Sequence, residues 1–340
     1  MSNIAILYTG DNQLPLIETA LKSGHHVFII SFRPSIHFPM PSIYCDCTNF
    51  EPVLEFCKKN KISGLCSVAS EKVVVPMAIL TSRLGLTGIP LKAAKTCTNK
   101  LSIKREFQKA NILFPKFKVG FHTDSINILE KKCHQIGFPV LFKPIDSSSS
   151  RGISLVLSVT DIKYALSQIK AFSKRDRFLI EKYISGESFG IEGLISKGKI
   201  RFLLPVGNFN IHNQIDIPIG HYAPYTNYTI PMLEITDKLN LFFKNCEITD
   251  SFFTIDCRLG QDNLIYFLEI GARCGGNLIP ELLSHFYGTD IYKIIIKQAI
   301  GDSLDTLSDF WEYEHPCACT FIKKAGKRIK LIVCDGKTAT

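Results

Sequence analysis

Lys143 interrupts an otherwise apolar stretch, Val140-Leu141-Phe142-Lys143-Pro144-Ile145, and no other feature constrains the chain more tightly. Apolar residues on both sides predict a strand buried on both faces. An unpaired ammonium is costly in that setting, so Lys143 needs an anionic partner. The strand runs into Asp146-Ser147-Ser148-Ser149-Ser150-Arg151-Gly152, whose hydroxyls and free amides suit a loop that grips phosphate. The competing reading is a lysine stem that snorkels to solvent beside a flexible turn.

The surroundings are those of a large folded protein. At 340 residues, with 46% hydrophobic and 21% charged content, the chain is too long for one ordinary core and too apolar to be disordered. Its first third alternates short apolar strands (4–8, 26–31, 64–68) with helices (13–23, 51–60, 70–84), which predicts a parallel sheet. Thr9-Gly10-Asp11-Asn12 lacks the glycine spacing that lets a backbone approach a pyrophosphate, so a Rossmann-like sheet without a dinucleotide is expected. The Gly/Pro-punctuated stretch at 85–98 marks a boundary, followed by a helix over 99–110. Beyond it come strands at 139–144, 153–157 and 177–183, then long strands at 188–196, 199–206, 251–259 and 263–270, and an apolar helix at 291–300. These patterns divide the chain into 1–95, 96–185 and 186–340.

Charge and cysteine content exclude less than they suggest. The net charge of +9 fits nucleic acid or a nucleotide's phosphates equally well. The densest basic cluster, Lys323 to Lys330, reads as a solvated hairpin. Most of the twelve cysteines lie singly in apolar stretches, and Cys45-Asp46-Cys47 and Cys317-Ala318-Cys319 are spaced too closely for zinc, so reduced core thiols are expected. No apolar run approaches the roughly 20 residues that span a bilayer. The first residues lack the basic flank of a signal peptide, which makes the cytoplasm the default location.

Two further segments carry chemistry. Phe178-Leu179-Ile180-Glu181-Lys182-Tyr183-Ile184-Ser185-Gly186-Glu187 is a strand ending in an extended connector; its backbone suits an adenine edge and a carboxylate suits ribose hydroxyls. Acids at strand ends are also ordinary. In Phe253-Thr254-Ile255-Asp256-Cys257-Arg258 and Ile265-Tyr266-Phe267-Leu268-Glu269-Ile270-Gly271-Ala272-Arg273-Cys274-Gly275-Gly276-Asn277, hairpin pairing brings Asp256 and Glu269 to one side. Two such carboxylates repel unless a cation lies between them, and Mg²⁺ takes one or two carboxylates plus phosphate oxygens. Arg273 and the Gly275-Gly276 turn follow at once, a natural anion site; separately solvated acids are the plainer alternative. Between Pro205 and Pro231, His, Tyr and Asn are dense enough for a polar small-molecule pocket, His221 first among them. Ser70-Glu71 is a weaker substrate candidate, since it also reads as an ordinary helix start.

Taken in order, these segments resemble the ATP-grasp superfamily of carboxylate–amine ligases, its L-amino-acid ligase and carbamoyl phosphate synthetase-like members above all. The resemblance implies two α+β lobes gripping ATP, preceded by the Rossmann-like domain. It implies Lys100 and Lys143 on the phosphates under a closing loop that includes Ser149, Ser150, Arg151 and Gly152. Glu181, the backbone of Tyr183 and Ile184, and Leu268 would hold the adenine, and Glu187 the ribose. Asp256 and Glu269 would carry Mg²⁺ or Mn²⁺. Where many members have an asparagine two residues after the metal glutamate, this chain has Gly271, and Asn277 is the stand-in. Arg273 would face the transferred phosphoryl group, with Gly275, Gly276, His221 and Glu71 toward substrate. The implied reaction activates a carboxylate as an acyl phosphate and joins it to an amine, releasing ADP and phosphate. The partners would be small molecules, with no nucleic acid and no membrane; homodimers are common for such folds. The alternatives are activation of bicarbonate or another small carboxylate, and an ATP-binding module without turnover.

Overall fold

A computed structural model describes residues 1–8, 10–32, 39–148, 150–211, 217–304, 314–324, 327–334 and 337–339, with side chains through residue 320. Ser149 lies outside the described residues. The N-terminal part runs β1 (Asn3–Leu7), α1 (Leu14–Lys22), β2 (His26–Ile30), β3 (Ser42–Ile43), α2 (Phe50–Lys59), β4 (Gly64–Cys66) and α3 (Val74–Leu84). Its four strands form one parallel sheet in the order β3-β2-β1-β4. The β1 residues Ile4 to Leu7 are completely buried, as a central parallel strand requires. Gly85 closes α3 in the left-handed conformation.

The stretch at 85–98, expected as a boundary, contains a helix. Pro90 opens a further helix, α4 (Leu91–Cys97), and Asn99 then caps α5 (Lys100–Lys109), accepting from the amides of Leu101 and Ser102. Next come β5 (Phe117–Phe121), α6 (Ile126–Ile136), β6 (Val140–Pro144), β7 (Ser154–Val156), α7 (Ile162–Phe172) and β8 (Arg177–Lys182). The four strands form a sheet ordered β5-β8-β6-β7. Val140 and Phe142 pack with α6 and α7, while Ile145, just past β6, packs with Leu101 of α5 and with Leu179. Lys143 is 5% exposed, so β6 is buried on both faces.

The remaining strands are β9 (Gly186–Ser196), β10 (Lys199–Ile211), β11 (Ile217–Ala223), β12 (Ser251–Gly260), β13 (Ile265–Gly271), β14 (Cys317–Lys324), β15 (Lys327–Cys334) and β16 (Lys337–Ala339). They form one sheet in the order β13-β12-β9-β10-β11-β14-β15-β16. The basic cluster near the C-terminus is indeed a hairpin, with Lys324 opposite Lys327. Three helices had no place in the sequence reading: α4, α8 (Met232–Cys246) and α9 (Ile279–Phe286); α10 is Ile291–Ala299. The buried Ile235, Leu239, Phe242, Phe243 and Cys246 of α8 fall on one helical face, a periodicity present in the sequence. The 205–231 stretch, read as a pocket segment, contains strand β11.

Two cores flank the large sheet. One packs it on α4, α5 and α8. The other joins it to α9, α10 and the parallel sheet, so α10 packs between the two sheets. Cysteines contribute to these cores as free thiols. Among the described residues no helix is long and apolar enough to cross a membrane. On the large sheet Gly193 lies opposite Phe253, and a Cβ on Gly193 would come within 2.2 Å of that ring. Gly193→Ala should therefore cost about 1–3 kcal/mol through overpacking, measured as a lower denaturant midpoint at unchanged slope.

Candidate active site

A cavity of about 370 Å³ opens between the parallel sheet, the β9–β12–β13 edge and Ser148, lined by Glu71, Glu192, His221, Asp256, Glu269 and Arg273. A neighbouring cavity of about 170 Å³ shares Asp256 and Glu269 and adds Lys143, Tyr183, Ile184 and Leu268. Sequence-distant candidates thus converge on one cleft. Asn277 lines the larger cavity and has a left-handed backbone, φ 53°.

Antiparallel pairing sets the floor. Asp256 stands directly opposite Glu269, with a bulge just after Asp256. Desolvation deep in the cleft, reinforced by Glu269, pushes the Asp256 carboxyl up to about 6, although its surface opens to the cavity. Glu269 in turn is 3.1 Å from Lys100 Nζ. Lys100 reaches it from the first turn of α5, where its ammonium also donates to the Ser147 carbonyl at 2.7 Å and its amide to Ile145. Two opposed carboxylates with one already drawing a cation fit a divalent ion that takes its remaining ligands from phosphate and water. Among the described residues there is no group of three or more His, Cys, Asp or Glu side chains arranged around a metal position.

The anionic partner that Lys143 demands is Glu181, its diagonal neighbour two positions along the β6–β8 ladder. Glu181 is 1% exposed and is also gripped by Lys104 Nζ at 2.6 Å. Burial by itself would raise the Glu181 carboxyl, but the two ammonium groups outweigh it and hold it below the usual carboxylate range. The carboxylate expected near an adenine is therefore engaged by lysines. Glu187, expected at the ribose, accepts from the Tyr225 hydroxyl at 3.0 Å and the Asn227 amide at 2.6 Å. Phe189 stacks on Tyr225 at 4.7 Å and holds that ring in place. In the loop, Ser150 and Arg151 are exposed and Gly152 is buried against Phe172 and Pro144.

Arg273 is joined to the N-terminal part. Its Nε lies 3.2 Å from Glu71 of the 3-10 turn that opens α3, and it also donates to the Cys274 carbonyl. Burial raises Glu71, against the pull of Arg273. A Cβ on Gly276 would come within 2.9 Å of Ala69, and one on Gly275 within 2.9 Å of Ile279, so these glycines also permit close packing. His221 on β11 is 8% exposed and pairs through Nδ1 with Asn208 at 2.8 Å; burial depresses it to about 4, which leaves it neutral. Burial likewise pushes the Cys274 thiol far up, so it is no nucleophile.

Sequence reasoning missed Lys104 and Glu192. Glu192, on β9, is 4% exposed and accepts from Thr254 Oγ1 at 2.6 Å and from the Gly275 amide. Its signal was an acid inside Gly190-Ile191-Glu192-Gly193-Leu194, the same anomaly that marks Lys143.

Residues 136–281 match the ATP-grasp domain family, and the mixed α/β architecture is the ATP-grasp fold. Over 128 residues the chain is 38% identical to a formate-dependent phosphoribosylglycinamide formyltransferase of Prochlorococcus marinus strain MIT 9301, covering 36% of this chain and 29% of that protein. It is 23% identical over 292 residues to an alanine–anticapsin ligase of Bacillus subtilis, covering 76% and 59%. The chain thus spans less than two thirds of either relative. Among solved structures, a phosphoribosylglycinamide synthetase from Anaerococcus prevotii superposes with TM-score 0.76 at 24% identity, covering 96% of this chain and 82% of that one. An L-amino acid ligase from Bacillus licheniformis gives 0.79 at 19% identity, covering 96% and 81%. At such identity the likeness carries the fold.

Burial pushes Glu192 up to about 7, from 4.5. The native state then holds a proton that the unfolded chain has lost, so this contribution is full below about pH 4.5 and fades as pH rises through 7. Glu192→Gln should flatten that decline, raising Tm at pH 8 while leaving it nearly unchanged at pH 4.5. An unaltered slope in thermal melts across this range would count against the assignment.

Proposed function

We propose that the chain is an ATP-dependent carboxylate–amine ligase that activates a substrate carboxylate as an acyl phosphate and joins it to an amine, releasing ADP and phosphate. The observation that carries this reading is the charge arrangement of one cleft: Asp256 opposite Glu269, with Lys100, Lys143 and Arg273 around them. A binding module without turnover has no need of two opposed carboxylates and a half-buried arginine beside them.

In this reading the apolar walls of the smaller cavity, Leu268 and Ile184 with the Tyr183 backbone, receive the base, and Glu187 the ribose. Lys100 and Lys143 turn from their carboxylate partners to the phosphates, and the Ser147–Gly152 loop covers them. Asp256 and Glu269 hold the Mg²⁺ or Mn²⁺, with Asn277 as the third candidate ligand; bound there, the ion supplies charge neutralisation at the phosphate oxygens. Arg273 takes the charge developing on the transferred group, and Glu71 orients the guanidinium. Neutral His221, with Gly275 and Gly276, lines the space left for substrate. The protein's work is positioning and screening, and closing the loop keeps water from the acyl phosphate. Segments 1–95, 96–185 and 186–340 serve as the Rossmann-like N-terminal domain, the linker helix with the small lobe, and the large lobe with the metal and substrate sites.

A second reading has its own support: the relative sharing 38% identity is named for formate, which favours a small carboxylate as the activated acid. Phosphate release from ATP and Mg²⁺ against pools of amino acids and small carboxylic acids, with mass analysis, separates the two. Release that needs both an acid and an amine and yields a dehydrated adduct is the expected result. Release with a one-carbon acid and no amino acid supports the second reading, and AMP with pyrophosphate overturns both. Glu269→Gln, nearly isosteric, should fold normally and lose at least about 100-fold in turnover. Activity near that of the unaltered protein would remove Glu269 from the metal site.

A further inference from the structure

We propose that Lys104 is a positioning residue that keeps Glu181 balanced so that Lys143 is free to leave it for the nucleotide; this rests on the nucleotide-binding reading above. The three groups form a row, Lys104–Glu181–Lys143, in which each carboxylate oxygen faces one ammonium. The two lysines differ in access. Lys143 lines the smaller cavity, whereas Lys104 is 1% exposed and is sealed beneath it. Lys104 donates to the Leu268 carbonyl at 3.0 Å and more loosely to Phe267 at 3.4 Å, and Phe114 and Phe107 lie against its ammonium at 5.4 and 6.0 Å. A ligand in the cleft can therefore recruit Lys143 and cannot recruit Lys104.

The balance of charge gives this asymmetry its consequence. With Lys104 present, withdrawal of Lys143 leaves one buried carboxylate facing one buried ammonium. Without Lys104, Lys143 becomes the sole counter-ion of a carboxylate that is only 1% exposed at the cavity wall, and withdrawing it would strand that charge. Phosphates would then compete with Glu181 for Lys143 directly. The contacts to Leu268 and Phe267 add a geometric part, since they tie β13, one residue before Glu269, to the same row.

The test is calorimetric binding of ATP with Mg²⁺ to the full chain, in four forms: unaltered, Lys104→Met, Glu181→Gln and the double variant. Lys104→Met should weaken binding by about tenfold or more. In the double variant, neutralising Glu181 releases Lys143, so affinity should recover to within a few-fold of the unaltered protein. A merely structural role predicts the opposite, a double variant that binds no better than Lys104→Met. Should Lys104→Met fail to fold, the single Glu181→Gln decides: affinity equal to or tighter than the unaltered protein supports the inference, and a tenfold loss overturns it. Unchanged affinity in a folded Lys104→Met overturns the inference alone. Absence of ATP binding by the unaltered protein overturns the functional reading, and the inference with it.

Discussion

Charge compensation inside a desolvated cleft is the constraint on which the rest of this molecule depends. A carboxylate as deeply buried as Glu181 survives only if ammonium groups reach it, and those groups come from different elements: Lys104 from α5 and Lys143 from β6. Glu269 on β13 draws Lys100 from α5, and Arg273 after β13 draws Glu71 from the N-terminal part. The Lys143–Glu181 pair lies within one sheet, whereas the Lys100–Glu269 and Glu71–Arg273 pairs join separate parts of the fold. Removing one partner of a buried pair typically costs about 3–5 kcal/mol, far more than the pair contributes over an apolar substitute. Such pairs serve poorly as general stabilisers and well as devices that fix one alignment of lobes.

The same pairs keep a cleft rich in lysine folded. Clustered lysines repel one another without counter-ions, and here Glu181 balances Lys104 and Lys143 while Glu269 balances Lys100. Under the proposed function, ligand binding is an exchange of partners in which the nucleotide and its ion bring charges of both signs, so the cleft stays balanced. Glu192 differs, because its neighbours are a hydroxyl, a backbone amide and the partial influence of Arg273, and no cation is dedicated to it. That difference is why it is driven toward neutrality while Glu181 is driven to stay ionised.

How far the sequence discloses this depends on whether a residue breaks a local pattern. Lys143 does, because a lysine flanked by strand-forming apolar residues has no benign position. Asp256 and Glu269 do as well, since a short hairpin dictates their opposition. Lys104 does not: on a helix that also carries Lys100, Arg105, Glu106 and Lys109 it looks solvated. Its position four residues after Lys100 and three before Phe107, on the stripe with Leu101 and Ile103, was the available signal. Glu181 was legible as an acid of the site, but its lysine partners were not, since they come from outside β8. Strand β11, with Pro218 and Gly220 in Ile217–Ala223, reads as a loop and becomes a strand because β10 and β14 flank it. Helix α8 was missed although its periodicity is present in the sequence.

The parallel sheet completes the site in a way its own pattern conceals. Its β1 and β4 end where an open α/β sheet commonly binds ligands, yet the glycine spacing for a dinucleotide is lacking. What these strand ends meet is the loop that follows β13. The amide of Ala69 faces the Cys274 carbonyl at 3.4 Å, and Ala69 fits against Gly276 so closely that a methyl group there would collide. Two residues on, Glu71 reaches Arg273. A glycine pair read from sequence as an anion turn is therefore also the seam along which the N-terminal sheet docks. Because α9 and α10 share one core with both sheets, movement along that seam would disturb packing on either side. The position of Arg273 over the cleft is thus set jointly by the large lobe, which carries it, and by the N-terminal sheet, which orients it.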